Sequence, residues 1–435
     1  MSMLNNALSG LNAANIALTV SGQNVANAAV EGYSRQQAQF KTSNVYLGGV
    51  EVASVDRVVD AFLNDDIWRT NSDTTYYENK QSYLGFIEQI IGTDSLNLNN
   101  SLASLTDALN AAATKPDSQA FRQQFLSSAE GFMQDIAQIN GALAGQATKL
   151  NAQMSNVALN VSSITKQIAE INSSIGLATA NKQSTAELKD NRERLVNQLS
   201  GHIGVSIVER DNGFIDISTL SGAPLVVGSK AASISVNGTT VTSNFIGQEF
   251  TLDKNVGGQF GGLISVDNDV IKPTLATLNS LVADLADDMN DALQSGFDLN
   301  NDPGEALFTY NPLNPLGTIE INPAITTDKL GFKDSSTSGP GDNSNIANIV
   351  ASMAGKGDKF TLLVGDLAIT SKQNLNSITT ATNLSENAIA ARDSYSGVNL
   401  DEEAANLMHF QQMYSANAKV ISTADQMFKS LLQMF

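Results

Sequence analysis

Between Leu400 and Phe435 a seam returns every fourth and then every third position, at Leu400, Ala404, Leu407, Gln411, Tyr414, Ala418, Ile421, Asp425, Phe428, Leu432 and Phe435. Only Gln411 and Asp425 in it are polar, and neither Gly nor Pro interrupts the run. The pattern predicts one amphipathic helix on the order of 50 Å long, at ~1.5 Å per residue. The same spacing opens the chain, at Leu4, Ala7, Leu11, Ala14, Leu18, Ser21 and Val25. Small residues at Ala7, Ala14 and Ser21 let another helix approach closely, and the large C-terminal seam residues suit that gap, so the termini are expected to pair. Leu8, Ile16, Phe410, Met413 and Met427 fall off the shared seam. Two helices leave that surface uncovered, and further copies of the chain are its simplest cover.

Asn24 to Asn27 and Glu31 to Gln36 carry the Asn and Gly residues that end helices and make turns. Weak alternation from Gln37 to Val59 predicts an extended limb joining two domains. Helical patterning resumes near Asp60, where Trp68, Tyr76, Tyr77, Tyr83 and Phe86 predict a local packing cluster. A helix from about Leu96 to Ala113 stops before Pro116, and Asp117 or Ser118 caps the next one. From Phe121 through Phe132, Leu143, Met154, Val161 and Ile168 to Ile175 a heptad frame predicts one helix of roughly 55 residues, ~80 Å long, with Gly141 and Gly145 as soft points. Gly176 to Thr185 reads as a turn and Glu187 to Ser200 as a return helix.

At Gly201 the period drops to two. Val205, Ile207, Phe214, Ile217, Val226, Ile234 and Val241 lie in short runs split by Asp211-Asn212-Gly213 and Asn237-Gly238, which predicts a small β domain. Gly257 to Gly262 reads as a domain hinge. A helix follows from Val270 to Gln294, then irregular Pro-rich chain to Gly357, then a helix from about Phe360 to Tyr395. The expected fold is mainly α with an inserted small β domain, an elongated chain that goes out and returns. Residues 1–60 and 396–435 form a terminal coiled-coil assembly domain. Residues 61–202 and 263–395 form a long-helix rod domain, and residues 203–262 form a β-rich outer domain at the far end.

A length of 435 residues is enough for several domains. The net charge of -19 disfavours nucleic acid and anionic membrane surfaces as partners. Absence of Cys excludes disulfides, thiolate zinc sites and thiol nucleophiles. No apolar run reaches the ~20 residues of a membrane span. Met1 to Val20 lacks the basic flank and uniform apolarity of a secretory signal, so export would need a dedicated exporter. Chemistry is sparse. His202 and His409 are far apart, and Asp287-Asp288 and Glu402-Glu403 are adjacent along helices and point in different directions. The glycine run lacks the Lys and Ser or Thr of a phosphate loop. Asp298 to Gly304 imitates a calcium loop at its first three ligand positions, but then sets Pro303 where the tight-turn Gly belongs and Thr309 where the bidentate Glu belongs. No catalytic residue, cofactor or metal is expected, and the chain does not read as an enzyme.

Taken together, the terminal stretches resemble the axial proteins of the bacterial flagellum. Leu4 to Val25 with Asn24-Val25-Ala26-Asn27 is similar to the shared rod, hook and hook-associated signature. Gly32-Tyr33-Ser34-Arg35-Gln36, Ser396-Gly397-Val398-Asn399-Leu400-Asp401-Glu402-Glu403-Ala404-Ala405 and Phe410-Gln411-Gln412-Met413-Tyr414 narrow the likeness to the hook-associated protein 1 family. Leu188 to Arg192, Leu225 to Gly228 and Gly296 to Leu299 agree with it. Ser265 to Asp269 and the short Leu299 to Phe308 loop depart from it. The resemblance implies a structural junction subunit forming a homo-oligomeric ring between hook and filament, with the hook protein and a second junction protein as neighbours. A hook or filament subunit of the same axial family is the alternative. It further implies export through the flagellar type III system, a cytoplasmic chaperone on the C-terminal helix, and a final place outside the cell. On this reading Leu4, Leu11, Leu18, Val25, Leu407, Tyr414, Ile421, Phe428 and Leu432 make the subunit and chaperone contacts. Asn24, Asn27, Gly32, Tyr33, Ser34, Arg35, Gly397, Asn399, Asp401 and Glu402 carry the family motif.

Overall fold

The computed structural model describes residues 2–30, 32–42, 48–93, 96–181 and 183–433. Helix α1 (Ser2–Asn27) leads into the antiparallel strands β1 (Gln36–Thr42) and β2 (Val50–Arg57). Four helices follow, α2 (Ala61–Gly92), α3 (Leu98–Thr114), α4 (Gln119–Ala180) and α5 (Ala186–His202). The insert holds β3 (Val205–Glu209), β4 (Ile215–Thr219), β5 (Pro224–Val227), β6 (Lys230–Ala231), β7 (Ser233–Asn237), β8 (Thr240–Phe245) and β9 (Gln248–Leu252). The return comprises α6 (Gly258–Val266), α7 (Lys272–Gln294), β10 (Phe308–Thr309), α8 (Pro315–Thr318), β11 (Glu320–Ile321), α9 (Ile346–Ser352), α10 (Lys356–Ser396) and α11 (Leu400–Leu432). The architecture is mainly helical with a small β insert, as the patterning predicts.

Helix starts follow local chemistry. Asp60, Asn97 and Asn399 each place a side-chain oxygen on the first free N–H groups of α2, α3 and α11. The spine is α4, 62 residues and about 93 Å at 1.5 Å per residue. Phe125, Phe132, Ile139, Leu143, Leu150, Met154, Val161 and Ile168 are all buried along it. Gly141 and Gly145 lie inside the unbroken helix, because flanking buried turns hold it on both sides. The predicted turn at Gly176 is also helical, and the chain reverses only after Ala180. Gly176 is there for space, since a Cβ would lie 2.5 Å from the Phe214 ring.

Three further expectations change. The limb from Gln37 to Val59 is extended but folds as a hairpin along α1, where Ser9 Oγ accepts the Val50 N–H at 3.2 Å; residues 43–47 lie outside the described residues. Trp68, Tyr76, Tyr77, Tyr83 and Phe86 do not form one cluster. Tyr76 and Tyr77 meet edge to face, Tyr83 donates to Gln153, and Phe86 is exposed beneath Lys149, because these positions spread around α2. The glycine run is a packed joint and no hinge. Gly258 begins α6, and Gly261 and Gly262 press against Tyr76 of α2. A Cβ on Gly262 would lie 2.5 Å from the Tyr76 carbonyl oxygen. Gly262→Ala is therefore expected to cost about 1–3 kcal/mol in urea unfolding, the range for overpacking a close core contact. A π-helical turn, Asp267–Ile271, joins α6 to α7 directly before Pro273, whose ring and missing N–H an ordinary α turn accommodates poorly.

The insert forms two sheets, β3-β4-β5-β6 and β7-β8-β9. It lies along the C-terminal third of α4, where Asn172 donates to the carbonyls of Ile215 and Gly228, both at 2.8 Å, and Ser162 Oγ accepts from Ile234 N at 2.8 Å. The opposite end of α4 carries the Pro-rich tract, held by Arg122, which donates to the Thr327 and Leu330 carbonyls and stacks over Phe332 at 4.6 Å. The tract, and not the insert, therefore packs on the end of the rod remote from the termini. The β8–β9 turn is Ile246-Gly247, with φ of 52° and 81°. Asn commonly fills the first of these positions, and an L-residue there, Ile above all, costs roughly 1–2 kcal/mol.

Candidate functional site

Helices α1 and α11 lie antiparallel, in a register set by Asn24 against Glu403 and Gly10 against Asn417. The α1 face turned to α11 is made of Ala7, Gly10, Ala14, Ala17, Ser21 and Asn24, all buried. Ala7, Ala14 and Ser21 thus bury as the pattern predicts, whereas the larger residues of that seam do not. Leu4 and Val25 are exposed, and Leu11 and Leu18 are half-buried. Gly10 is needed because a Cβ there would fall 2.7 Å from the Asn417 amide oxygen. On α11 the inward side carries Asn406, Leu407, Phe410, Met413, Asn417, Ile421 and Ala424, each partly exposed and none fully buried. Tyr414, Phe428 and Leu432 point outward, with Phe428 and Leu432 each 62% exposed. Of the 33 residues in α11 Glu403 alone is buried. Beyond Asp425 the register leaves no described α1 residue opposite. Gln411 is exposed, and Asp425 pairs within the helix with Lys429 at 2.8 Å.

At the other end of this pair the motif residues converge. Asn24 donates to Gln36 O at 2.9 Å and to Glu403 Oε1 at 3.1 Å, and its Oδ1 accepts from Gln36 N and the Tyr33 hydroxyl, both at 2.9 Å. Asparagine is suited to this position, since its amide supplies two donors and an acceptor to an otherwise dry face. Burial and the Asp190 and Glu403 carboxylates push the Tyr33 hydroxyl up to about 12. Arg35 reaches Glu402 at 3.2 Å, and its N–H donates to Ser396 O. Asn399 accepts from the N–H groups of Asp401 and Glu402. Gly32, with φ of 75°, and Tyr33 present carbonyls to Arg392, which also reaches Ser34 Oγ. Gly397 caps α10 through its N–H to Asp393 O. Asn27 stands apart from the knot, and its side-chain amide donates to Gln23 O of its own helix at 2.9 Å.

Below this knot Arg57 joins the hairpin to α5. Its Nε lies 2.7 Å from Asp190, its Nη2 lies 2.5 Å from Glu193, and Ser34 Oγ accepts from Nη2 at 3.1 Å. One guanidinium serves two carboxylates in a buried setting. Burial, offset by Arg57 and reinforced by Glu193, pushes the Asp190 carboxyl up to about 6. Its proton is then held more tightly in the folded than in the unfolded chain. The associated stability is full below about 4 and is lost as pH rises through about 6. The Asp190 carboxyl carbon should accordingly titrate near pH 6 by NMR. The stability of Asp190→Asn relative to the parent should rise between pH 4 and 6 and stay level above.

Arg57, Glu193 and Arg392 have no apolar period to mark them, and only the fold brings them to the knot. The sequence pattern sets Val25 in the seam and reads Asn24 as part of a helix end; the signal it passes over is that Asn24 follows Ser21 by three positions, on the side of α1 that is buried. Among the described residues no three His, Asp or Glu side chains gather as metal ligands. In the calcium-like loop Asp298 accepts from the N–H groups of Asn300 and Asp302, and the buried Lys333 ammonium rests on Asn301. His202 faces Gln259, and His409 lies beside Phe410.

The profile described as "Flagellar hook-associated protein FlgK helical domain" matches residues 84–308, more than half of the chain. The chain belongs to the flagellar hook-associated protein FlgK family. A second profile, "Flagellar basal body rod FlgEFG protein C-terminal", matches residues 392–434, the span of the knot and α11. Flagellar hook-associated protein 1 of Salmonella typhimurium is 24% identical over 550 aligned positions and all of both chains. The Escherichia coli protein of that name is 24% identical over 544 positions and all of both chains. The Bacillus subtilis one is 23% identical, over 99% of this chain and 97% of its own. A solved structure of the flagellar hook junction protein FlgK from Burkholderia pseudomallei superposes with a TM-score of 0.53 at 21% identity. That likeness covers 57% of this chain and 47% of the other, and it concerns the fold. A FlgK-family chain is a structural component of the flagellum and not an enzyme.

Proposed function

We propose that this chain is a junction subunit that joins hook to filament as a homo-oligomeric ring. The α1–α11 pair on this reading enters the axial lattice, against the hook protein on one side and a second junction protein on the other. The observation that carries it is the contrast between α11, where only Glu403 is buried, and α4, whose apolar seam is buried from Phe125 to Ile175. A helix with Tyr414, Phe428, Leu431 and Leu432 exposed has surface that only partners can cover. Division into a terminal assembly domain (1–60 and 396–435), a rod (61–202 and 263–395) and a β insert (203–262) fits this role, with the knot at Asn24, Arg35, Glu402 and Glu403 aiming the helix pair from the rod.

Leu4, Leu11, Leu18, Val25, Leu407, Tyr414, Ile421, Phe428 and Leu432 supply the subunit contacts. Before assembly the same α11 surface needs a cover, which a cytoplasmic chaperone provides until the chain leaves through the flagellar export channel. The test is to label the protein on intact flagella of a strain in which it replaces the endogenous copy. Signal confined to the boundary between hook and filament is expected, and signal along the whole filament would overturn the reading.

A further inference from the structure

Asn is followed by Gly three times in the chain, at Asn140-Gly141, Asn212-Gly213 and Asn237-Gly238. This dipeptide is chemically labile wherever the glycine nitrogen, shielded by no side chain, can reach the asparagine side-chain carbonyl carbon. The fold puts the three copies in three different settings. Asn140-Gly141 lies inside α4, where the Gly141 N–H belongs to the helical ladder and the backbone cannot turn without breaking it. Asn212-Gly213 lies in the β3–β4 turn with both reacting groups engaged. The Gly213 N–H donates to Arg210 O at 2.8 Å, and Asn212 Oδ1 accepts from the Phe214 N–H at 3.1 Å.

Asn237-Gly238 is left open. Asn237 ends β7 and pairs with Thr240 across a two-residue turn. Its side chain is exposed, and neither that side chain nor the Gly238 N–H has a hydrogen-bond partner among the described residues. Gly238 has a φ of 61°, and no atom lies within 4 Å of the place its Cβ would take. Lys272 meets the turn at Thr239 Oγ1, 3.4 Å away and one residue past the reacting bond, and its ammonium favours loss of the Gly238 amide proton.

From the contrast among these settings we propose that Asn237 is a site of spontaneous modification, converted to aspartate and isoaspartate by its own backbone and water. The Gly238 nitrogen gives its proton to hydroxide and attacks Asn237 Cγ. The new N–C bond closes a cyclic imide as the Cγ–Nδ2 bond breaks and ammonia leaves. Water then opens the ring at either carbonyl: at Cγ it yields aspartate, and at the backbone carbonyl it yields isoaspartate. In sum an amide and water become a carboxylate and ammonium, with no oxidant or cofactor. In isoaspartate the main chain runs through the side chain and gains one carbon, which the tight closure of Asn237 on Thr240 does not fit. The change stays local, because Ile234 N remains on Ser162 Oγ of α4 and residues 234–236 stay paired with β8. The insert thus gains a negative charge at its tip with age and keeps its sheet. This site is set by the insert alone and holds wherever the chain assembles.

The test uses the purified full-length chain, held in mildly alkaline heavy-oxygen water, which labels conversion before digestion in ordinary water. Trypsin places the three copies in separate peptides, 123–149, 211–230 and 231–254. Label should enter 231–254 at least about tenfold faster than 123–149, since the helical copy reacts only after local opening. In the urea-unfolded chain the three should convert at similar rates. If folding slows 231–254 as much as 123–149, or if 211–230 outpaces it, the assignment is overturned. Asn237→Gln fixes the position, because its longer side chain closes the imide far more slowly, and as an exposed change it should melt with the parent. Label persisting in 231–254 of that variant would lie at Asn244 and refute the site.

Discussion

Arg57→Met should lower the stability of the folded chain by about 3–5 kcal/mol, the cost of removing one partner from a buried ion cluster. The arginine side chain is 6% exposed, and Asp190 and Glu193 are 11% and 22% exposed, so water cannot take its place. Loss of the guanidinium leaves two carboxylates facing each other at the base of the hairpin and removes one of the two arginine donors to Ser34 Oγ. The sign with pH follows from Asp190, whose proton is already bound up to about pH 6 in the parent. Without Arg57 that carboxyl stays protonated to higher pH still, so the loss should be smaller at pH 5 than at pH 8. Urea unfolding at both values, read by circular dichroism, measures it. An equal loss at the two pH values would contradict the shared-guanidinium account. The terminal helices should also lose their fixed orientation, since Arg57 and Arg392 both converge on Ser34 and the loop that starts the hairpin.

Phe428→Asp is expected to abolish incorporation while leaving the isolated chain within ±0.5 kcal/mol of the parent, the usual range for an exposed site. Phe428 lies beyond the reach of α1, next to exposed Met427, Leu431 and Leu432. A charge there disturbs no contact of the isolated chain and strands a carboxylate in any apolar interface formed later. Leu407→Asp makes the contrast: it lies half-buried against α1, so it should lower both stability and incorporation. Junction occupancy on flagella, set beside a melting curve of the purified protein, separates the two effects. Normal junctions built from Phe428→Asp would remove the terminal stripe from the assembly surface.

How much of this was legible beforehand differs by element. The heptad run of α4 was plain because a helix buried along one side over its whole length keeps one apolar phase. Its C-terminal boundary was misplaced because Gly176 signals a turn by its flexibility and serves instead to admit the Phe214 ring. The same substitution of space for flexibility explains Gly261 and Gly262, which pack on Tyr76. The hairpin from Gln36 to Arg57 kept its alternation but not its pairing, since a strand pattern does not name its neighbour.

By itself the sequence determined the helical and extended periods, the insertion of the β segment between α5 and α6, and the apolar excess on the last helix. Each is a local property, carried by residues a few positions apart. Tertiary structure alone decided which face of α1 meets α11, that Asn24 binds Glu403 across 379 positions, and that Arg57 reads α5. Hydrogen bonds and ion pairs between distant segments leave no period in the chain, because their partners share only a place in space.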